Sequence, residues 1–241
     1  YSLAGESGGA RLYRSDASPS PAYAAAVSLA EVDWSGNCFQ RQNSLLAALS
    51  GLDDACFLPL SPQLEDGAGT ALWTFQSDGS PVYALFPKEG DSARLTVNGQ
   101  SRDIYTNETD CILYLGTFPA GQTVEVKLDY QGGLGDVLFY ALDTGALARA
   151  QEVLEQNRLE VTGFGNGWVE GTVTAGTDTV LYTSIPAIPG WSVTVDGQAV
   201  SAGSFRDTLL TVPLSAGTHT VSLHYTPPGL LPGLVLAAGG L

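Results

Sequence analysis

Apolar and polar residues alternate in two long stretches of the chain, and the alternation predicts strands in both. The first stretch reads VYALFP, ARLTVNGQ, ILYLGTFPAGQ and TVEVKLDY between Val82 and Tyr130. The second reads LYTSIP, WSVTVDGQ, LLTVPLSAG and HTVSLHY between Leu181 and Tyr225. Ala93, Leu95 and Val97 share one phase in the first, and Trp191, Val193 and Val195 share one in the second. A period of two marks half-buried antiparallel strands. Asn98-Gly99 and Asp196-Gly197 supply the positive φ of tight hairpin turns. Tyr83 aligns with Tyr182, Pro87 with Pro186, Val97 with Val195, Gly99 with Gly197, Gly121 with Gly217 and Tyr130 with Tyr225. A duplicated meander accounts for these matches, and so does the generic similarity of any two meanders.

Helical spacing appears twice. In NSLLAALSG, Leu45, Leu46 and Leu49 share a face, with Asn43 or Ser44 as N-cap and Gly51 as the stop. In DTGALARAQEVLEQ, Leu147, Ala150, Val153 and Leu154 form an apolar stripe, with Asp143 or Thr144 as cap. The first thirty-odd residues show no period, and ASPSPAY (residues 17–23) reads as extended or turn-like. The predicted fold is mainly β: two β-sandwich-like, jelly-roll-type modules with a few short helices. Residues 1–65 form an extended lead-in and a short helix packing on the first module, which spans 66–135. Residues 136–160 are a linking amphipathic helix, and 161–228 are the second module. Residues 229–241 carry no charge and read as the start of a truncated transmembrane segment, since about 20 apolar residues are needed to cross a bilayer.

Charge narrows the partners. Asp and Glu number 25 against 10 Lys and Arg, for a formal net charge of -15. Nucleic acid is excluded, because phosphate backbones are bound by Lys and Arg. Adsorption to anionic headgroups is disfavoured for the same reason. Methionine is absent and no charged-then-apolar leader precedes Tyr1, so the chain reads as a piece of a longer protein. Cys38, Cys56 and Cys111 are spaced too widely for a metal knuckle or a redox pair. A Cys38–Cys56 disulfide and three separate buried thiols both fit that spacing.

Candidate chemistry is sparse. The histidines, His219 and His224, fall in one strand at odd spacing, on opposite faces, and do not form the base of a nucleophilic triad. No cluster has zinc-ligand spacing, so no metal and no cofactor is expected. GESGG and QGGLGD lack the phosphate lysine and the helix fingerprint of a nucleotide site. TNETD (residues 106–110) lacks the spacing of a calcium loop. Acidic pairs for glycoside hydrolysis can be drawn anywhere in so acidic a chain, and none stands out. Of the tryptophans, Trp73 and Trp191 lie on apolar strand phases, whereas Trp168 follows the Asn166-Gly167 turn and is the candidate for glycan contact.

The line SIPAIPGWSVTVDGQAV followed by GTHTVSLHYTPPG resembles the C-terminal ectodomain of the bacterial YfhO family of polytopic membrane proteins. Ser184, Ile185, Pro186, Gly190, Trp191, Val195, Asp196 and Gly197 carry one element of the likeness, and Gly217, His219, Tyr225, Pro227 and Gly229 carry the close. Gln42, Asn43, Leu45, Leu46, Leu49 and Gly51 resemble the family's upstream helix. The chain departs from the family at Ala187, Ser192 and Gln198, where Tyr and a basic residue are usual. The resemblance implies a multi-span glycosyltransferase that uses lipid-linked sugars to decorate polymers such as lipoteichoic acid. Its catalytic acids would sit among N-terminal spans outside this chain. Pro186, Gly190, Trp191, Asp196, Gly197, His219 and Tyr225 would be structural. The expected partners are the membrane-embedded remainder of the same polypeptide and a cell-surface glycan or teichoic acid, on the extracellular side of a bacterial membrane. A free-standing extracellular carbohydrate-binding or adhesion module is the alternative.

Overall fold

A computed structural model describes residues 2–7, 10–14, 19–86, 92–105, 111–131, 135–230 and 233. TNETD therefore lies outside the described residues, as do most of the C-terminal run, parts of GESGG and QGGLGD, and the Cys111 side chain. The chain opens with β1 (Ser2–Ser7), β2 (Ala10–Arg14) and β3 (Ala22–Ala24), then α1 (Cys38–Ser50). Strands β4 (Phe57–Leu60), β5 (Gln63–Gly67), β6 (Thr70–Gln76), β7 (Pro81–Phe86), β8 (Ser92–Val97) and β9 (Gln100–Tyr105) follow. Next come β10 (Cys111–Thr117), β11 (Thr123–Asp129), β12 (Leu138–Leu142) and α2 (Thr144–Gln156). The last strands are β13 (Glu160–Gly165), β14 (Trp168–Ala175), β15 (Thr179–Pro186), β16 (Trp191–Val195), β17 (Gln198–Val200), β18 (Gly203–Phe205), β19 (Leu209–Leu214) and β20 (Gly217–Tyr225). The fold is mainly β, with antiparallel pairing throughout.

The chain divides into two compact units. One comprises residues 33–44 and 53–149, the other residues 1–32, 45–52 and 150–241. The first unit, here called the first sandwich, pairs a sheet of order β5-β6-β11-β8-β9 with one of order β10-β7-β12-β4. Its core takes Trp73, Leu95, Val124 and Val126 from the first sheet and Val82, Phe86 and Phe139 from the second, all buried. Each such side chain contributes about 1.5–3 kcal/mol by leaving water. The back of the second sheet is covered by Phe39 of α1, which packs on Tyr140, with ring centroids 4.4 Å apart.

The other unit, the second sandwich, repeats the plan. Its sheets run β13-β14-β20-β16-β17 and β18-β19-β15-β3, around Val173, Leu181, Val193, Val212, Val221 and Leu223. The repeat holds at single hydrogen bonds. The Tyr130 N–H donates to the Gly69 carbonyl at 2.9 Å, and the Tyr225 N–H donates to the Gly167 carbonyl at 2.6 Å. The seats beside β7 and β15, which occupy matching places, are filled differently in the two units. In the first, β12 pairs with β7. In the second, β3 from the chain's start pairs with β15. Three residues, Ala22-Tyr23-Ala24, are too few to show a period, which is why the lead-in carries no strand signal. Similarly β12 lies just ahead of α2, within a stretch read from sequence as wholly helical.

Helix α1 begins earlier than its leucines suggest. Asn37 is the cap: its Oδ1 accepts from the Phe39 and Gln40 N–H groups at 3.0 and 3.2 Å, while Gln40 Oε1 accepts from the Asn37 N–H at 2.9 Å. This reciprocal pair satisfies donors that the first helical turn leaves open. Asn43, expected as the cap, instead ties α1 to β4, accepting from the Cys56 and Phe57 N–H groups and donating to the Phe57 carbonyl. The stop at Gly51 is as read, with φ of 73°. In α2 the cap is Asp143, whose Oδ1 accepts from the Ala146 N–H at 2.8 Å. Cys38 and Cys56 are not joined in a disulfide.

Candidate functional site

The candidate surface is the outer face of the sheet β13-β14-β20-β16-β17. Alternation sends Val173, Ala175, Val221 and Leu223 into the core and their neighbours outward. On the outward phase β14 contributes Trp168, Glu170 and Thr172, β20 contributes Ser222 and His224, and β16 contributes Ser192. Trp168 is 36% exposed and opposes His224 across β14 and β20. The two rings are nearly parallel, 11° apart with centroids 6.1 Å apart, so they overlap with an offset. On the other side lie Gly163 and Gly165 of β13, where a Cβ would collide with the indole. Two glycines on the facing strand thus leave a bed in which the ring lies against backbone.

A flat aromatic ring bordered by hydroxyls and one carboxylate suits a sugar. The apolar ring face meets pyranose C–H groups, and the hydroxyls and Glu170 exchange hydrogen bonds with ring substituents. The structure places Trp168 on the surface as the Asn166-Gly167 turn implies, puts Trp73 in the core and leaves Trp191 half-buried. The pairing with His224 was hidden, because it depends on the register between two strands far apart in the chain, β14 and β20. The signal for the bed is the run Gly163, Gly165, Gly167, glycine at every second position before the tryptophan.

A second cluster has the membership of a catalytic relay, Asp196, His219 and Ser215. His219 Nδ1 lies 2.7 Å from Asp196 Oδ2, and its Nε2 lies 3.2 Å from Ser215 Oγ. However, Nε2 also lies 3.0 Å from the Ser215 carbonyl, an atom that can only accept. The Asp196 carboxylate likewise only accepts. Against two accepting oxygens these contacts favour a ring that carries hydrogen on both nitrogens, and a ring so protonated has no lone pair with which to activate a hydroxyl. The hydrogen bond to Asp196 raises the His219 pKa above its ordinary 6.5, helped by the Ser215 carbonyl and opposed by desolvation. The His219 hydrogen bond, then the Thr220 N–H, holds Asp196 below its ordinary 3.8. The cluster staples the β16–β17 turn to the start of β20. The opposite facing of His219 and His224 is as the odd spacing requires.

The remaining motif residues surround the end of β20. Gly190 has φ of 115°, and a Cβ there would sit 2.5 Å from the Thr226 carbonyl oxygen. Its own carbonyl accepts from the Thr226 N–H at 2.9 Å. The Trp191 ring packs on Tyr225, with centroids 5.1 Å apart. Its Nε1 is enclosed without a hydrogen-bond partner, beside a groove of about 670 Å³. Pro186 closes β15 opposite Leu209, and Gly197 takes φ of 76° in the hairpin turn. Among the described residues there is no group of three or more His, Cys, Asp or Glu side chains able to hold a metal.

The family model described as "Bacterial membrane protein YfhO" matches residues 1–237. The chain belongs to the YfhO family. No curated protein matches it. Among solved structures, it is similar to a GH2 beta-galacturonidase from Eisenbergiella tayi, at 12% identity and a TM-score of 0.24, over 66% of this chain and 29% of that one. It is also similar to the Ruminococcus gnavus beta-glucuronidase, at 11% identity and a TM-score of 0.26, over 66% and 30%. The Bacteroides uniformis beta-glucuronidase matches at 17% identity and a TM-score of 0.24, over 66% and 22%. This YfhO chain thus spans less than a third of the length of each, and scores this low assign it no activity. Among the described residues no helix is long and apolar enough to cross a membrane.

Proposed function

We propose that this chain is a non-catalytic extracellular domain of a bacterial multi-span glycosyltransferase that uses lipid-linked sugars. Its role is to hold the acceptor, a cell-surface polymer such as lipoteichoic acid, beside the membrane-embedded remainder of the same polypeptide. Membership of a bacterial membrane protein family supports the setting. The observation that carries the role is the exposed Trp168 ring, seated on Gly163 and Gly165 and flanked by His224. An indole held flat at a surface costs little to order on binding and offers an apolar plane.

The test is titration of the chain with acceptor oligosaccharides, alongside incubation with polyprenyl-phosphate sugars and chromogenic glycosides. Saturable binding lost in Trp168→Ala, with turnover at background, is the expected result. Turnover abolished by one Asp or Glu substitution, or binding indifferent to Trp168, would overturn the reading.

A further inference from the structure

Beyond sugar binding, we infer that the end of the second sandwich from which the chain leaves β20 is a seat for a lipid bilayer surface. Three segments meet there. Gly167, in the β13–β14 turn, accepts the Tyr225 N–H, and Gly190, in the β15–β16 loop, accepts the Thr226 N–H. The third segment is the chain from Tyr225 to Leu230. Each segment bears an exposed large apolar side chain: Phe164 is 77% exposed, Ile188 48% and Leu230 46%. Single exposed apolar residues are ordinary, but three gathered at one end of one sandwich mark an interaction surface.

Charge identifies the occupant. Residues 163–169 (GFGNGWV), 184–195 (SIPAIPGWSVTV) and 225–230 (YTPPGL) contain no Asp, Glu, Lys or Arg, in a chain that has 35. The bordering turn, tied to the loop by the Ala187 N–H to Thr208 carbonyl bond, holds Arg206 and Asp207, one charge of each sign. The opposite end carries Asp178 and Asp196, which cap the Ala216 and Thr220 N–H groups. A surface free of net charge, with aromatic and aliphatic side chains projecting, matches the interfacial layer of a bilayer. With a net charge of -15 on the chain, attraction must come from apolar burial and not from anionic headgroups. A protein partner of this acidic domain would more readily meet it with complementary charge, which this end does not offer.

The experiment measures partition of the whole chain into phosphatidylcholine vesicles. Phe164→Glu and Ile188→Glu each place a charge at this end, while Thr174→Glu places one on β14 near the other end, where Thr174 pairs with Thr218. Phe164→Glu and Ile188→Glu should each lower the partition coefficient about tenfold, and Thr174→Glu should leave it unchanged. The apolar C-terminal run is common to all variants, so differences report the seat alone. Circular dichroism and melting should match the parent chain, because neither side chain is in the core. Equal partition of all four proteins would overturn the inference. So would partition confined to anionic vesicles and abolished by salt, or loss of self-association in these variants with vesicle binding intact. Titrating the same proteins with oligosaccharide separates this surface from the Trp168 face, since either property can be lost while the other remains.

Discussion

Asp196 fills in the second sandwich the place that Asn98 fills in the first. Each is the first residue of a two-residue hairpin turn, with φ of 51° and 46° respectively. The Asp196 N–H donates to the Thr220 carbonyl at 2.8 Å and its Oδ1 accepts the Thr220 N–H at 2.8 Å. Asn98 makes the same two bonds with Glu125, both at 2.9 Å. By this register His219 stands where Val124 is fully buried. The second unit therefore has an imidazole where the first has a core valine, and a carboxylate where the first has a neutral amide.

Asp196→Asn should keep the turn, because Asn98 shows that an amide makes both backbone bonds, and should lose the charge pairing. The pH dependence follows from the two shifts. His219 has a raised folded pKa, so its contribution is complete below its ordinary 6.5 and is lost as pH rises through the folded value. Asp196 has a lowered folded pKa, so its contribution is complete above its ordinary 3.8 and is lost as pH falls through the folded value. The gap in melting temperature between the parent and Asp196→Asn should be widest near pH 5 and close at both extremes. A gap that keeps widening as pH rises past neutrality would show that the neutral imidazole is the favoured form.

Ser215→Ala tests the relay geometry directly. Its hydroxyl touches a ring nitrogen that also lies 3.0 Å from the Ser215 carbonyl, and if that carbonyl takes the Nε2 hydrogen, loss of the hydroxyl should leave the titration of His219, followed by NMR, close to that of the parent. Esterase or glycosidase activity lost in Ser215→Ala would mean that the histidine does act as a base.

Strand phase was legible wherever the alternation is long. Leu95, Val97, Val193 and Val195 pack into or against the cores as their period requires. Strands of three residues, such as β3, were not legible, because their placement comes from pairing with a distant segment. The start of α1 was missed because its cap is a polar Asn-x-x-Gln pair ahead of the first leucine, while the apolar count begins at Leu45. Trp168 was legible through the turn beside it. Its bed and its histidine neighbour were not, since both are fixed by register between strands.

Trp191 joins two opposed effects. Trp191→Ala should cost about 3 kcal/mol, at the low end for an aromatic because the side chain is only half-buried. Trp191→Phe should cost less than about 1 kcal/mol, since it removes an enclosed N–H that has no partner while keeping most of the contact with Tyr225. Denaturant unfolding of both variants checks the ranking. An equal loss for Phe and Ala would mean that the indole nitrogen has a partner in solution.

Gly190→Ala should be far worse than its single methyl suggests. The residue combines a left-handed φ of 115° with a Cβ position 2.5 Å from the Thr226 carbonyl oxygen and 2.9 Å from the Tyr225 ring. Backbone cannot yield as a flexible side chain can, so the loop must lift away from the end of β20. A loss of about 3 kcal/mol or more in unfolding free energy is expected, from strain and clash together. Gly176→Ala, where a Cβ would meet nothing within 4 Å, is the control and should be nearly neutral. Similar losses in the two would show that this loop is free to move away from β20.

The Trp168 platform predicts a separation of binding from stability. Trp168→Ala removes a ring that is 36% exposed, rests on the backbone at Gly163 and Gly165, and has a histidine as its cross-strand side-chain partner. Such a pair contributes about 0.2–1 kcal/mol, so the melting curve should barely move. Affinity for an acceptor oligosaccharide should fall about tenfold or more, the equivalent of about 1.4 kcal/mol of aromatic contact. Gly165→Ala is the sharper variant, because it leaves the indole in place chemically while a methyl occupies the bed beneath it. The backbone φ at Gly165 is not left-handed, so strain in the main chain does not confuse the result. If the ring binds sugar because it is held flat, Gly165→Ala should weaken binding nearly as much as Trp168→Ala. Calorimetric titration of both variants decides the matter: full affinity in Gly165→Ala would mean that the orientation of the ring has no part in recognition.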